Sequence, residues 1–203
     1  MKSARKAKGD GHLRRAEILE AAERIFVTEG YEGATIRKIA DEVGVSSTAL
    51  YMHFRDKDEI LIEICNATME ALLASNSEIS VRPIDAVARV RLMLEAYVRF
   101  GFEHPNAYKL AFCSAPNAAF TERMAGANDI AEKTYARYVG VVREIAADGQ
   151  LRSGDPDTAA QALWAACHGM VALVTTKNNV DWSPTEELLR VLLDSLLHGL
   201  IAD

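Results

Sequence analysis

A chain of 203 residues with 23 Lys/Arg against 29 Asp/Glu, net −6, has room for one domain or two small ones. Its 49% apolar content is ample for a buried core, which excludes an intrinsically disordered chain. Three widely spaced cysteines, Cys65, Cys113 and Cys167, form neither a C-x-x-C pair nor an even framework; a disulfide scaffold is excluded and a reducing cytoplasm is expected.

The basic N-terminus has no apolar stretch behind it and is not read as a signal peptide. No run of about 18 apolar residues is apparent, so no membrane contact is expected. The charge is uneven. Residues 1–57 hold 11 Lys/Arg and 9 Asp/Glu, whereas residues 58–203 hold 12 and 20. A mildly basic head on an acidic body is the informative division. Lys2, Arg5, Lys6, Lys8, Arg14 and Arg15 face only Asp10 within the first fifteen residues. Residues 1–11 are therefore read as a disordered basic tail, which can follow phosphates, enter a minor groove, or simply solubilise the chain.

Ile18, Ala22, Ile25 and Phe26 make the core stripe of a first helix, expected from about His12 to Glu29 and ended by Gly30. Tyr31 and Ala34 cross to Thr35, a cap for a second helix in which Ile36, Ile39, Ala40 and Val43 recur at i, i+3, i+4 and i+7. Gly44 follows, where a helix ends in a left-handed residue. Val45 plugs the turn, and Ser46 caps a third helix over Ser47 to Phe54 whose Leu50 and Phe54 point inward. Ser47, Thr48, Ala49, Tyr51, Met52 and His53 remain outside. Helix, glycine turn, helix is the helix-turn-helix pattern, whose second helix enters the DNA major groove. An ordinary hairpin is the alternative; a hydroxyl-rich leading edge that ends in Tyr and His argues for DNA.

Asp56 and Glu59 form a capping-box pattern that opens a fourth helix, with Asp58 complementing its dipole, and the helix runs to about Ser77. Arg82-Pro83 starts a fifth helix ending at Glu103, with His104-Pro105 as breaker. A short helix over Asn106 to Cys113, a loop over Ser114 to Ala119, and a long helix from Thr121 to Ala147 follow; an interruption is expected near Gly126, and Gly149 closes the helix. Asp155-Pro156 opens a helix to about Lys177, and the box Ser183-Pro184-Thr185-Glu186 opens the last one. No repeat or strand-like alternation occurs. The expected class is all-α with about nine helices.

The run from Ala16 through Leu61, which contains TIRKIADEVGVSSTALYMHF, resembles the DNA-binding head of the TetR family of transcriptional regulators. Gly30-Tyr31, Thr35, Ile39-Ala40, Gly44-Val45, Leu50-Tyr51, His53-Phe54 and Lys57 all sit in register. The resemblance implies a head over residues 12–72 (motif 35–54) and a ligand-binding and dimerisation domain over 73–203. It further implies a repressor that binds a palindromic operator as a homodimer and is released by a small molecule. An activator, or a regulator answering to a protein partner or to oxidation of Cys113 or Cys167, stays open. The segment WAACHG, Trp164 to Gly169, resembles a Trp-His-Gly element of one subgroup of the family's C-terminal domains.

For base readout, Ser47 and Thr48 offer hydroxyls and a methyl at the leading edge of the third helix. Arg37 is the candidate for a bidentate guanine contact, and its position aligns with the one that makes this contact in the family's namesake. Thr35, Tyr51, His53 and Lys57 are expected on phosphates, and Met52 stands where many family members carry an aromatic. Much of the affinity should then be salt-sensitive. One head reads too few base pairs, so two heads about 34–36 Å apart are expected. From Leu188 to Ile201 nine of fourteen residues are apolar, more than one face needs. Pairing with a copy, beside the helix carrying Leu163, Cys167, Met170 and Val174, would bury the surplus in a four-helix interface.

A pocket for the effector can draw on Tyr97, Phe100, Tyr108, Phe112, Phe120, Tyr135 and Tyr138, with Trp164 and His168 at i, i+4 on one wall. No cofactor, metal or enzymatic activity is expected. Cys167 and His168 are helix neighbours whose side chains diverge, the five histidines lack zinc-like spacing with the cysteines, and no glycine-rich phosphate loop occurs.

Overall fold

The computed structural model describes residues 10–109, 112, 123, 125–152, 154–177 and 179–202. The basic tail up to residue 9, Cys113, Phe120, the expected 114–119 loop and the expected helix start at Thr121 lie outside the described residues. Nine helices occur among the described residues: α1 (Asp10–Gly33), α2 (Ile36–Val43), α3 (Ser47–Tyr51), α4 (Lys57–Ser80), α5 (Ala86–Glu103), α6 (Pro105–Tyr108), α7 (Ala125–Ala147), α8 (Pro156–Thr176) and α9 (Thr185–Leu200). The all-helical class matches the sequence reading. A single antiparallel bridge, Leu151 with Ile201, ties the end of the chain to the turn after α7.

The chain forms two compact units. The first comprises Met1–Ala67 and Asn106–Met124; the second comprises Thr68–Pro105 and Ala125–Asp203. In the first, Ile18, Ala22 and Phe26 of α1 meet Ile39 and Ala40 of α2, Leu50, Phe54, and Ile60 and Ile64 of α4 in one core. Gly30 breaks the helical geometry of α1 at φ 73° and ψ 169°, which a residue with a Cβ adopts only with strain. The later segment is stitched in by Asn106 Nδ2 donating to Phe26 O at 2.5 Å and by the buried Ala107 and Tyr108.

In the second unit α5, α7 and α8 pack pairwise on one another, and α9 lies on α8 and α5. Val90, Met93 and Leu94 of α5, Val142 and Ile145 of α7, Leu163 and Val171 of α8, and Leu189, Leu193 and Leu197 of α9 are buried there.

Several boundaries differ from the sequence reading. α3 ends at Tyr51 rather than Phe54, because Met52 and His53 close a tighter turn in which His53 N–H donates to Leu50 O at 2.8 Å. α5 starts later than Pro83: Asp85 is its cap and accepts from Ala88 N–H at 2.8 Å, a bond proline cannot offer. Gly126 lies inside α7 with no interruption. The Ser183 box does not form, since Pro184 is extended at ψ 133° and α9 begins without a side-chain cap. Finally, α8 is long and apolar enough to cross a membrane by length and composition alone, although Asp157, Gln161 and His168 interrupt its apolar residues. A third of that window is buried in the unit core, Leu163, Cys167 and Val171 among it.

Candidate nucleic-acid interface and aromatic core

Local sequence sets the turn between α2 and α3. Thr35 is extended and its Oγ1 accepts from Lys38 N–H at 3.2 Å, freeing the hydroxyl proton to donate elsewhere. Gly44 sits in the left-handed region at φ 71°, and Val45 N–H reaches back to Ala40 O at 2.9 Å. Ser46 Oγ accepts from Ala49 N–H at 3.1 Å and starts α3. Leu50 and Phe54 are fully buried, which turns the opposite side of α3 outward. Thr48 and Tyr51 are exposed, Met52 is 83% exposed, and Ser47 and His53 are half-buried.

Electrostatically the head is largely self-satisfied. Arg14 pairs with Glu17, Arg15 with Glu63, Arg24 with Glu42, Lys38 with Glu29 and Arg55 with Glu59. Arg37 has the loosest link, 3.8 Å from Asp41 with its side chain 86% exposed. It loses least by turning to another anion. Lys57 is less available than the sequence suggests. Its ammonium donates to Tyr31 O at 2.7 Å and Ala34 O at 3.1 Å and sits 3.9 Å over the Tyr31 ring.

Two clamps escaped sequence reading. Arg15 donates Nε to Glu63 Oε1 at 2.9 Å, makes a second bond to Oε2 and a third to His53 O, and lies 4.0 Å over the Phe54 ring. It fixes the end of α3 against α1 and α4. Arg123 donates to Asp56 Oδ1 at 2.9 Å and lies 3.5 Å from Asp58 Oδ2. Burial alone would raise the Asp56 carboxyl, but the Arg123 and Glu59 N–H bonds outweigh it and hold it below the ordinary carboxylate range. Neither clamp has a local signal, because their partners lie 48 and 67 residues away.

Of the expected pocket residues, five come together in the second unit. Trp164 is 5.2 Å from Tyr135, 6.0 Å from His168 and 6.4 Å from Tyr97 between ring centroids. Tyr135 and Tyr138 are 6.1 Å apart. Tyr97 and His168 Nδ1 share a hydrogen bond at 3.0 Å. Tyr108 and Phe112 belong instead to the first unit, packed on each other at 5.3 Å, with Tyr108 1% exposed. Phe100 is buried beside His104. Burial pushes the Cys65 and Cys167 thiols up to about 12, leaving both protonated and poorly nucleophilic.

Residues 18–64 match the family profile "Bacterial regulatory proteins, tetR family", and residues 90–196 match "Tetracyclin repressor-like, C-terminal domain". The chain belongs to the TetR family. It is therefore a DNA-binding transcriptional regulator and not an enzyme. This TetR-family protein is 40% identical over 72 residues to the HTH-type transcriptional repressor AcnR of Corynebacterium diphtheriae, a match spanning 34% of the chain and 38% of AcnR. With the nucleoid occlusion factor SlmA of Vibrio atlanticus it shares 32% identity over 143 residues, 70% of each protein. Among solved structures, the ketosteroid transcriptional regulator KstR2 of Mycobacterium tuberculosis superposes with a TM-score of 0.74 over the whole of both chains at 21% identity, a likeness of fold.

Proposed function

We propose that this protein is a homodimeric repressor that holds a palindromic operator with two heads and releases it when a small molecule binds the second compact unit. The observation that carries the reading is the exposed edge around the Gly44 hinge, where Thr35, Arg37, Thr48 and Tyr51 have no core to fill. Arg37, Ser47 and Thr48 read base edges. Thr35, Tyr51, His53 and Lys57 meet phosphates, Lys57 through the one ammonium hydrogen its two carbonyl partners leave.

The dimer forms through α8 and α9. Leu163, Cys167 and Met170, named above to mark the interface helix, are buried within the subunit. The outward surface is made instead by Ala162, Ala165, Leu173 and the half-buried Val174 of α8, and by Val191 and the half-buried Leu188 and Leu192 of α9. Such a double apolar face suits a two-fold pairing. Tyr97, Tyr135, Tyr138, Trp164 and His168 are the effector group. The protonated thiols of Cys65 and Cys167 weigh against a redox trigger at either.

The test is fluorescence anisotropy of the purified chain on duplex DNA from upstream of its own gene. Saturable binding of two chains per palindromic site, lost when one half-site is scrambled, is the expected result. Binding indifferent to sequence, or by a single chain, overturns the reading. A second reading follows from the match to SlmA: specific DNA binding in a role such as nucleoid occlusion. A reporter driven from the bound site separates the two, since only the first changes its output.

A further inference from the structure

Glu59, Ile62, Glu63 and Asn66 stand at i, i+3, i+4 and i+7 along α4 and so share one face of it. With Arg55, just before α4, and Arg123 of the Asn106–Met124 segment, they line a cleft of about 260 Å³. All six residues belong to the first unit, whereas the aromatic group belongs to the second. Clefts for drug-sized ligands begin at roughly 300 Å³, so this one suits a smaller molecule.

The lining carries both signs of charge, with bonding capacity left over. Arg55 is exposed and gives Glu59 its Nε at 3.2 Å; its terminal amino groups make no bond among the described residues. Arg123 commits one hydrogen to Asp56 at 2.9 Å and one to Asp58 at 3.5 Å, and keeps its other guanidinium hydrogens. Glu59 takes the Arg55 bonds on Oε2 alone. Arg15 uses one lone pair on each Glu63 oxygen, so each keeps another. Asn66 Oδ1 is buried and accepts no hydrogen bond among the described residues, a cost that an incoming N–H donor would remove. Buried Ile62 adds an apolar wall. A lone anion engages the guanidiniums but faces two carboxylates, and a lone cation meets the reverse. A molecule with both charges satisfies both pairs.

We propose that this cleft is a ligand site of the head and takes a small zwitterion of the amino-acid class. Its carboxylate lies on Arg55 and Arg123, its ammonium on Glu59, Glu63 and Asn66, and its methylenes on Ile62. The site is additional to the effector group of the second unit and does not rest on that reading.

Isothermal titration calorimetry on the full chain tests it with two zwitterions, L-leucine and 4-aminobutyrate, each beside its single-charge analogues. These are 4-methylpentanoate and 3-methylbutylamine for the first, butanoate and propylamine for the second. At least one zwitterion should bind saturably, and its own carboxylate and amine at least about tenfold more weakly. Arg55→Gln should weaken that zwitterion about fivefold and leave the matched amine unchanged, since it removes only the carboxylate's partner. Asn66→Leu should also weaken it about fivefold while Tm stays level or rises, because the substitution deletes an orphaned acceptor. Should Asn66→Leu not fold, the exposed Arg55→Gln carries the comparison. Four outcomes overturn the inference: no binding of either zwitterion, a single-charge analogue binding as well, equal losses for zwitterion and amine in Arg55→Gln, or a lower Tm with affinity intact in Asn66→Leu.

Discussion

Replacing Arg15 by alanine removes the clamp that ties the end of α3 to α1 and α4. Its pair with Glu63 is about one-third exposed on each side, 33% and 34%, so it belongs at the low end for charged hydrogen bonds, about 1.5 kcal/mol. The bond to His53 O contributes about 1 kcal/mol and the stack on Phe54 about 0.5 kcal/mol. Together the loss is about 3 kcal/mol, which for a chain of this size lowers Tm by roughly 6–12 °C. Scanning calorimetry measures this directly. Anisotropy well below the variant's Tm should show weaker binding to all DNA alike, because the freed His53 carbonyl loosens Tyr51 and His53 rather than any base contact. Arg15→Lys keeps the charge but loses the fork and the stack, so it should recover less than half of the shift. A Tm within about 1 °C of the parent would refute the reasoning, and full recovery by lysine would show that charge alone mattered.

Arg37→Ala should flatten the preference at one position in each half-site, by about 1–3 kcal/mol, with little change elsewhere; binding to a library of operator variants measures it. Asp56 is held below the ordinary carboxylate range, so its stabilisation is present above the unfolded-state value and is lost as pH falls through the lower folded value. Arg123→Met should move that loss to higher pH, which thermal melts across an acid series would reveal; superimposable profiles would contradict it. Val191 is 47% exposed on α9, and Val191→Asp should yield monomers by sedimentation that fold normally but lose cooperative operator binding.

The head was legible because its signals are local. Thr35, Gly44 and Ser46 each act within four residues, and the Ile39–Ala40 and Leu50–Phe54 spacings fix which faces are buried. The return of Asn106–Met124 to the first unit was not legible, since it depends on Asn106 meeting Phe26 O and Arg123 meeting Asp56 across most of a hundred residues. For the same reason Tyr108 and Phe112 could be recognised as aromatic but not assigned to a unit. Two helix starts fell elsewhere than expected: Asp85 rather than Pro83 opens α5, and extended Pro184 rather than a Ser183 cap precedes α9, through backbone geometry that composition does not carry.

The pairing of the head's cations has a consequence for regulation. Every Lys and Arg from Arg14 to Lys57 already has an intramolecular partner, so a phosphate contact by any of these cations except Lys57, which keeps one ammonium hydrogen, gives up an existing interaction in part. On the repressor reading proposed above, a single head gains little from these cations, and affinity comes from engaging two heads at once. Linked heads multiply affinity by an effective concentration that vanishes when their spacing cannot match the DNA. A ligand then has no need to touch the DNA-facing residues. Favouring a spacing a few ångströms from that of one helical turn suffices for release, and the free energy required is only the difference in ligand affinity between the two spacings.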